Sequence, residues 1–332
     1  MPRTFITIEI KRYTMTVKPQ YSYPKKLVIG TRGSPLALVQ ANMVKDKLVG
    51  LGQNIGVELR IIKTSGDWSP SDGEVALQAL EGGKAQFAKE IEEALLRKEI
   101  DIAVHSMKDM ETILPEGLVI PFMLPREDNR DAFLSVNSQN IDYLPEGCTV
   151  GTVSARRKAF LLHKRPDLNV VPLRGNVQTR LDKLKAGQVD ATFLACAGLN
   201  RLGLASEITS IIECDDMLPS VGQGAVGIEM RQEDVMRLSF ISQFSCAETY
   251  VCVACERAVL HALGGSCHTP VGVYAKLEGE EMHLRVKVVS LDGKDIWAED
   301  VRANIASQDE AVAFGSKVGQ QLRPLVPKEV LG

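Results

Sequence analysis

The residues whose types and spacing best suit chemistry are His105, Ser106, Lys108 and Asp109. They close the stretch Asp101-Ile102-Ala103-Val104-His105-Ser106-Met107-Lys108-Asp109. The stretch begins as a short apolar run, the pattern of a buried parallel strand. It then delivers a hydroxyl, an ammonium and a carboxylate within a few residues. In an open α/β sheet, ligands bind just beyond the carboxyl ends of the strands, so these groups stand where a reaction would be run. A solvated turn is the competing reading.

A second set is cationic. Arg32 lies in Thr31-Arg32-Gly33-Ser34-Pro35, between the apolar run Leu27 to Ile29 and a helical pattern carrying Leu36, Val39, Met43, Val44 and Leu48. Ser34 is a good N-cap and Pro35 suits the first helical position. The free N–H groups of such a terminus favour an anion. The same order of strand, turn and arginine recurs. Thr149 to Thr152 leads to Ser154, Arg156 and Arg157; Asn169 to Leu173 leads to Arg174 and Arg180; Asp190 to Ala195 leads to Arg201. A cation at a helix N-terminus opposes the helix macrodipole. Repeated use of that position points to one crevice built for a ligand with several anionic groups, since arginine's planar fork matches carboxylates and phosphates. There is no P-loop with its Lys-Ser/Thr pattern, which argues against a nucleotide.

A third candidate is Cys267, in Leu263-Gly264-Gly265-Ser266-Cys267-His268-Thr269-Pro270. A thiol in a loop of small residues is accessible, and accessibility permits reaction. The commoner fate of a free cysteine is that of a small buried hydrophobe. Cys252 and Cys255 form a Cys-x-x-Cys near His261 and His268, but both fall in a helical segment and no second such pair exists. Zinc is therefore disfavoured, and no metal is expected.

The positioning elements follow from periodicity and punctuation. Strands are expected at Lys26 to Gly30 and Val57 to Lys63, and Leu118 to Met123 is another apolar run. A helix is expected from Lys84, carrying Phe87, Ile91 and Leu95, after a polar loop that ends in two glycines. The dense charged link Arg126 to Asp131 marks a domain boundary, and Ala132 to Val136 opens a new set of strands. Ser220 to Gly227 reads as a glycine-rich turn into the strand Val226 to Glu229. Alternation of strand and helix then stops. A helix from Glu248 to Leu263 precedes strands at Val271 to Leu277, Met282 to Leu291 and Ile296 to Arg302. Asp292-Gly293 forms a hairpin turn, and Ser307 to Glu310 is a capping box.

The 332 residues carry a net charge of −3 and are 45% hydrophobic. That is a globular composition of about two or three domains, and it gives no sign of a nucleic-acid or membrane partner. The seven cysteines stand singly, as in a reducing compartment. Met1 to Pro24 reads as a disordered extension, a start assigned too early (Met15 would serve) or a weak transit peptide. A cytoplasmic location is expected, or an organellar stroma or matrix if that segment is a transit peptide.

Together these residues resemble the porphobilinogen deaminase family, from Lys26 to about Leu325. The segments that carry the resemblance are Gly30 to Leu38, Asp101 to Asp109, Arg126 to Phe133, Leu173 to Arg180, Ala197 to Leu204, Pro219 to Glu229 and the cysteine loop. Each is moderately specific alone, and their order and spacing make them highly specific together. The resemblance implies an α/β fold of two lobes like those of periplasmic binding proteins, plus a C-terminal α+β domain. Its expected domains are an extension at 1–24, a first lobe of 25–125 plus 222–243, a second lobe of 126–221 and a third domain of 244–332.

The resemblance also implies a transferase of tetrapyrrole (porphyrin, haem or chlorophyll) biosynthesis. Such an enzyme condenses four porphobilinogen molecules head to tail with release of ammonia, then hydrolyses the chain to hydroxymethylbilane. It implies a dipyrromethane cofactor in thioether linkage to Cys267, with Asp109 as the catalytic carboxylate. Cofactor and substrate carboxylates would be held by Arg32, Arg156, Arg157, Arg174, Arg180 and Arg201, assisted by Ser34, Lys84, Ser106, Lys108 and Ser154. The expected partner is porphobilinogen, and the expected state a monomer. This chain departs from the family at Ala85-Gln86 and at Val153 and Ala155, where no predicted catalytic group is lost. The rival reading is a non-catalytic two-lobed binding protein for a polyanionic metabolite, which leaves the third domain and the cysteine loop unexplained. A metal-binding regulator built on Cys252 and Cys255 comes third.

Overall fold

The computed structural model describes residues 23–64, 88–266 and 268–331. The first sheet begins with β1 (Lys26–Thr31), α1 (Pro35–Gly50), β2 (Gly56–Ile61), α2 (Lys89–Leu96), β3 (Ile102–Ser106) and β4 (Leu118–Met123). The second sheet comprises β5 (Asp131–Ser135), β6 (Thr149–Gly151), α3 (Ala155–Lys164), β7 (Asn169–Val171), α4 (Val177–Lys185), β8 (Ala191–Ala195), α5 (Cys196–Arg201) and β9 (Ser210–Ile212). The chain then returns to the first sheet with β10 (Val226–Arg231).

Each sheet has five strands, in the orders β2-β1-β3-β10-β4 and β7-β6-β8-β5-β9. The arrangements are equivalent: three parallel strands, then two that join antiparallel. The expectation of a parallel β3 is therefore half right. β3 runs parallel to β1 but antiparallel to β10, with Gly227 opposite His105.

A third unit follows: α6 (Ala247–Leu263), then the antiparallel meander β11 (Val271–Glu278), β12 (Glu281–Val289) and β13 (Ile296–Asn304), then α7 (Gln308–Leu322) and α8 (Lys328–Leu331). Its core joins Val259 and Leu263 of α6 and Val318 and Leu322 of α7 to Val273, Leu284 and Val286 of the sheet. Gly315 and Gly319 let α7 lie on α6, because a Cβ at either would sit 2.3 or 2.6 Å from a carbonyl oxygen of α6.

Two chain segments cross between the lobes, residues 124–130 and 213–225, and they run alongside each other. Glu127 N–H donates to Gly224 O at 3.2 Å, Arg126 Nε to Gln223 O at 2.9 Å and Gln223 Nε2 to Asn129 O at 2.7 Å. Gly224 has φ +87°, and a Cβ there would meet Glu127 O at 2.4 Å, so only glycine permits both the turn and the approach.

Glu256 of α6 ties this pair of segments to the third unit. Its fully buried carboxylate accepts from Arg126 Nη1 and Nη2, from Gly222 N–H and from Ala275 N–H on β11. β11 also rests on the second crossing segment through Val273 N–H to Pro219 O at 3.0 Å.

Candidate functional site

β1 and β3 are parallel neighbours, so Arg32 and the Ser106–Asp109 segment leave the first sheet at the same edge. In the second sheet, β6, β7 and β8 are mutually parallel. Ser154, Arg174 and Arg201 therefore follow strands that also end on one edge.

Ser106 and Gln40 of α1 exchange hydrogen bonds at 2.8 and 3.0 Å. Met107 to Asp109 then make a short 3-10 turn that leaves Lys108 and Asp109 half-buried. The second crossing segment moors this turn. Met107 N–H donates to Ala225 O at 3.0 Å. Gly222, at φ +68°, lies so close that a Cβ would come 2.8 Å from Met107 Cβ. From the second lobe, Arg201 Nη2 donates to Gly224 O at 2.7 Å. The Asp109 turn and Arg201 therefore bind the same four-residue stretch of backbone, 222–225, from opposite lobes.

Ser34 and Ser154 are the N-caps expected of them, accepting from Ala37 N–H and Arg157 N–H, each at 3.4 Å. Asn176 caps α4 in the same way. Val153 and Ala155, the departures from the family pattern, flank Ser154 without disturbing its cap. Arg174 is buried, while Arg32 and Arg180 are half-buried. Lys84, Ala85, Gln86 and Cys267 lie outside the described residues.

Arg156 and Arg157 are buried and share an internal partner that the sequence reading missed. Asp131, the first residue of β5, is fully buried and lies 2.7 Å from Arg156 Nη2 and 2.7 Å from Arg157 Nη2. Burial would raise the Asp131 carboxyl, but the two guanidinium groups prevail and hold it well below the usual carboxylate range. Arg157 is fully employed, since Nε also reaches Asp131 and Nη1 reaches Phe193 O. Arg156 spends Nη1 on Leu218 O, but its buried Nε has no hydrogen-bond partner among the described residues. Arg201 Nε is likewise unmatched. Two guanidinium groups against one carboxylate leave a surplus positive charge, which an anionic ligand would balance.

That composition fits a dipyrromethane, whose side chains are carboxylates. The sequence held a clue to Asp131, a carboxylate opening the apolar strand Ala132-Phe133-Leu134, but its partners lie 25 and 26 residues on. Cys252 and Cys255 are buried in α6, and burial pushes the Cys252 thiol up to about 12. Among the described residues, no group of three or more His, Cys, Asp or Glu is placed to hold a metal ion.

The fold and site define a two-lobed α/β protein with cations gathered at facing strand ends and a third domain fastened to the crossing segments. Comparison with known proteins agrees. Residues 27–238 match the family model "Porphobilinogen deaminase, dipyromethane cofactor binding domain", and residues 250–324 match "Porphobilinogen deaminase, C-terminal domain". The porphobilinogen deaminase of Nitrobacter hamburgensis is 46% identical over 301 residues, covering 89% of this chain and 92% of that protein. That of Paracoccus denitrificans is 44% identical, covering 95% and 98%. The chloroplastic porphobilinogen deaminase of Oryza sativa is 45% identical, covering 89% and 82%. The chain belongs to the porphobilinogen deaminase family. It is a transferase of tetrapyrrole biosynthesis that carries out the deaminase reaction with a dipyrromethane cofactor. No helix among the described residues is long and apolar enough to cross a membrane.

Proposed function

We propose that Asp109 is the catalytic residue of this reaction and that Cys267 carries the cofactor. When bound, the dipyrromethane supplies the pyrrole carbon to which porphobilinogen units are joined. Positive charge develops on pyrrole nitrogens during such a condensation. A carboxylate held beside those N–H groups stabilises the charge and passes protons. Asp109 suits this role because its turn is fixed at both Ser106 and Met107. The observation that carries the reading is the common mooring of the Asp109 turn and Arg201 on residues 222–225.

Arg32, Arg156, Arg157, Arg174, Arg180 and Arg201 are the cationic lining in this reading, with Ser34, Lys84, Ser106, Lys108 and Ser154 as lesser contacts. Arg156 and Arg201 contribute open donors. Arg157 contributes charge through the network on Asp131. The lobes are taken as 25–125 with 222–243 and as 126–221, and the third domain as 244–332. We place the enzyme in the cytoplasm or an organellar stroma, as a monomer.

The test is incubation of the purified protein with porphobilinogen, followed by assay of ammonia and of uroporphyrin I after acid oxidation. Release of both supports the reading. Retention of porphobilinogen without ammonia would return the chain to the class of binding proteins.

A further inference from the structure

We propose that His105 is a positioning residue for this reaction: paired with Glu229 of β10, it fixes the end of β3 from which the Asp109 turn departs. The proposal rests on the assignment of Asp109 above.

Side chains alternate along a strand, so the last two residues of β3 are pinned on opposite faces. Ser106 is held by Gln40, and His105 Nε2 lies 2.9 Å from Glu229 Oε2 on β10. Both partners in the second contact are buried, Glu229 completely. Glu229 Oε1 has no hydrogen-bond partner among the described residues, so His105 is the direct partner seen for this carboxylate.

The exit of the turn is held from the same side. Arg257 of α6 donates to the carbonyls of Met110 and Glu111, the two residues that follow Asp109. Tyr250 and Val253 of α6 pack with Met107 and Met110 beneath it. Glu92 of α2 interacts electrostatically with Glu229, His105 and Glu111, and Arg257 of α6 with Glu111, Tyr250 and Glu229.

Burial, with the negative charge of Glu229, pushes Glu92 up to about 7, while His105 opposes that shift. Below that pH, Glu92 is neutral and His105 answers to one carboxylate. Above it, Glu92 adds a second negative charge to that of Glu229. The field acting on the His105–Glu229 contact therefore changes as pH passes through this range.

The experiment measures kcat and KM of holoenzyme across roughly pH 6 to 9, the range in which such groups titrate, with cofactor loading checked by mass. Wild type should show a step in kcat as pH passes through about 7. Glu92→Gln, fixed in the neutral form, should lose that step and stay near the low-pH rate. His105→Asn should lose about tenfold or more in kcat, as misplaced catalytic groups do, with KM little changed. Glu92 is half-buried, so its variant keeps the test available if His105→Asn does not fold. A Glu92→Gln enzyme with the wild-type pH profile overturns the proposal, as does a loaded His105→Asn enzyme at the wild-type rate. If wild type itself released no ammonia, the assignment of Asp109 would fail first.

Discussion

Arg126 and Glu256 face each other as a two-pronged ion pair, with Nη1–Oε1 at 2.7 Å and Nη2–Oε2 at 3.1 Å. One belongs to the first crossing segment and the other to α6, so the contact joins the junction of the lobes to the third unit. Removing one partner of a buried pair strands the other charge, at a cost of roughly 3–5 kcal/mol. Glu256→Gln should therefore lower stability by about that amount in chemical denaturation. Arg126→Lys should lose a good part of it, because an ammonium cannot reproduce the fork. A Glu256→Gln protein within about 1 kcal/mol of wild type would reduce the pair to an incidental contact.

Asp131 makes a prediction about acid. Its folded-state carboxyl is depressed by Arg156 and Arg157. The stabilisation is thus present above the unfolded value of about 3.9 and is lost as pH falls through the lower folded value. Asp131→Asn should destabilise the protein at neutral pH and flatten its acid-denaturation limb. Arg157→Leu should act mainly on stability, since every arm of that guanidinium is used internally. Arg156→Leu should act more on cofactor assembly and early elongation, since its Nε is open. Equal kinetics and equal loading in both variants would remove the anion-binding role.

Cys267 is tested by mass. Holoenzyme should exceed its sequence mass by one covalent dipyrromethane and react with Ehrlich's reagent. Cys267→Ser should lose the extra mass, the colour and the activity together. Turnover by a protein of bare sequence mass would move the attachment elsewhere.

For Asp109, the amide and the longer acid separate charge from shape. Asp109→Asn keeps the size but not the charge, and should lose roughly 3–4 kcal/mol of transition-state stabilisation, at least about a hundredfold in rate. Asp109→Glu keeps the charge, misplaces it, and should retain more activity. Single-turnover kinetics on loaded protein decide the matter. An Asn variant within a few-fold of wild type would make Asp109 an ordinary turn residue.

The elements were readable where their signals are local. Ser34, Ser154 and Ser307 cap helices as their spacing implies, and the apolar run Leu118–Met123 forms a strand. Sequence reading failed where the deciding partner is remote. Asp131 belongs to a charged link until Arg156 and Arg157 fold onto it, and Gln40 is an ordinary helical residue until Ser106 arrives. β9, Ser210–Ile212, was missed. The repeated strand-then-arginine order is followed in the fold, where these arginines leave the ends of parallel strands, but it did not show that part of their charge is balanced from within.

The return of β10 to the first sheet bears on how the protein is made. All five strands of the second sheet lie between residues 131 and 212, so this lobe has its whole sheet once that stretch has left the ribosome. The first sheet, though it begins at residue 26, lacks the strand between β3 and β4 until residues 226–231 emerge. Domains tend to fold as units during synthesis. Here the lobe that is translated second is the first to be closed, and the nascent first lobe waits with β3 and β4 unpaired along facing edges, the state in which a chaperone has most to shield.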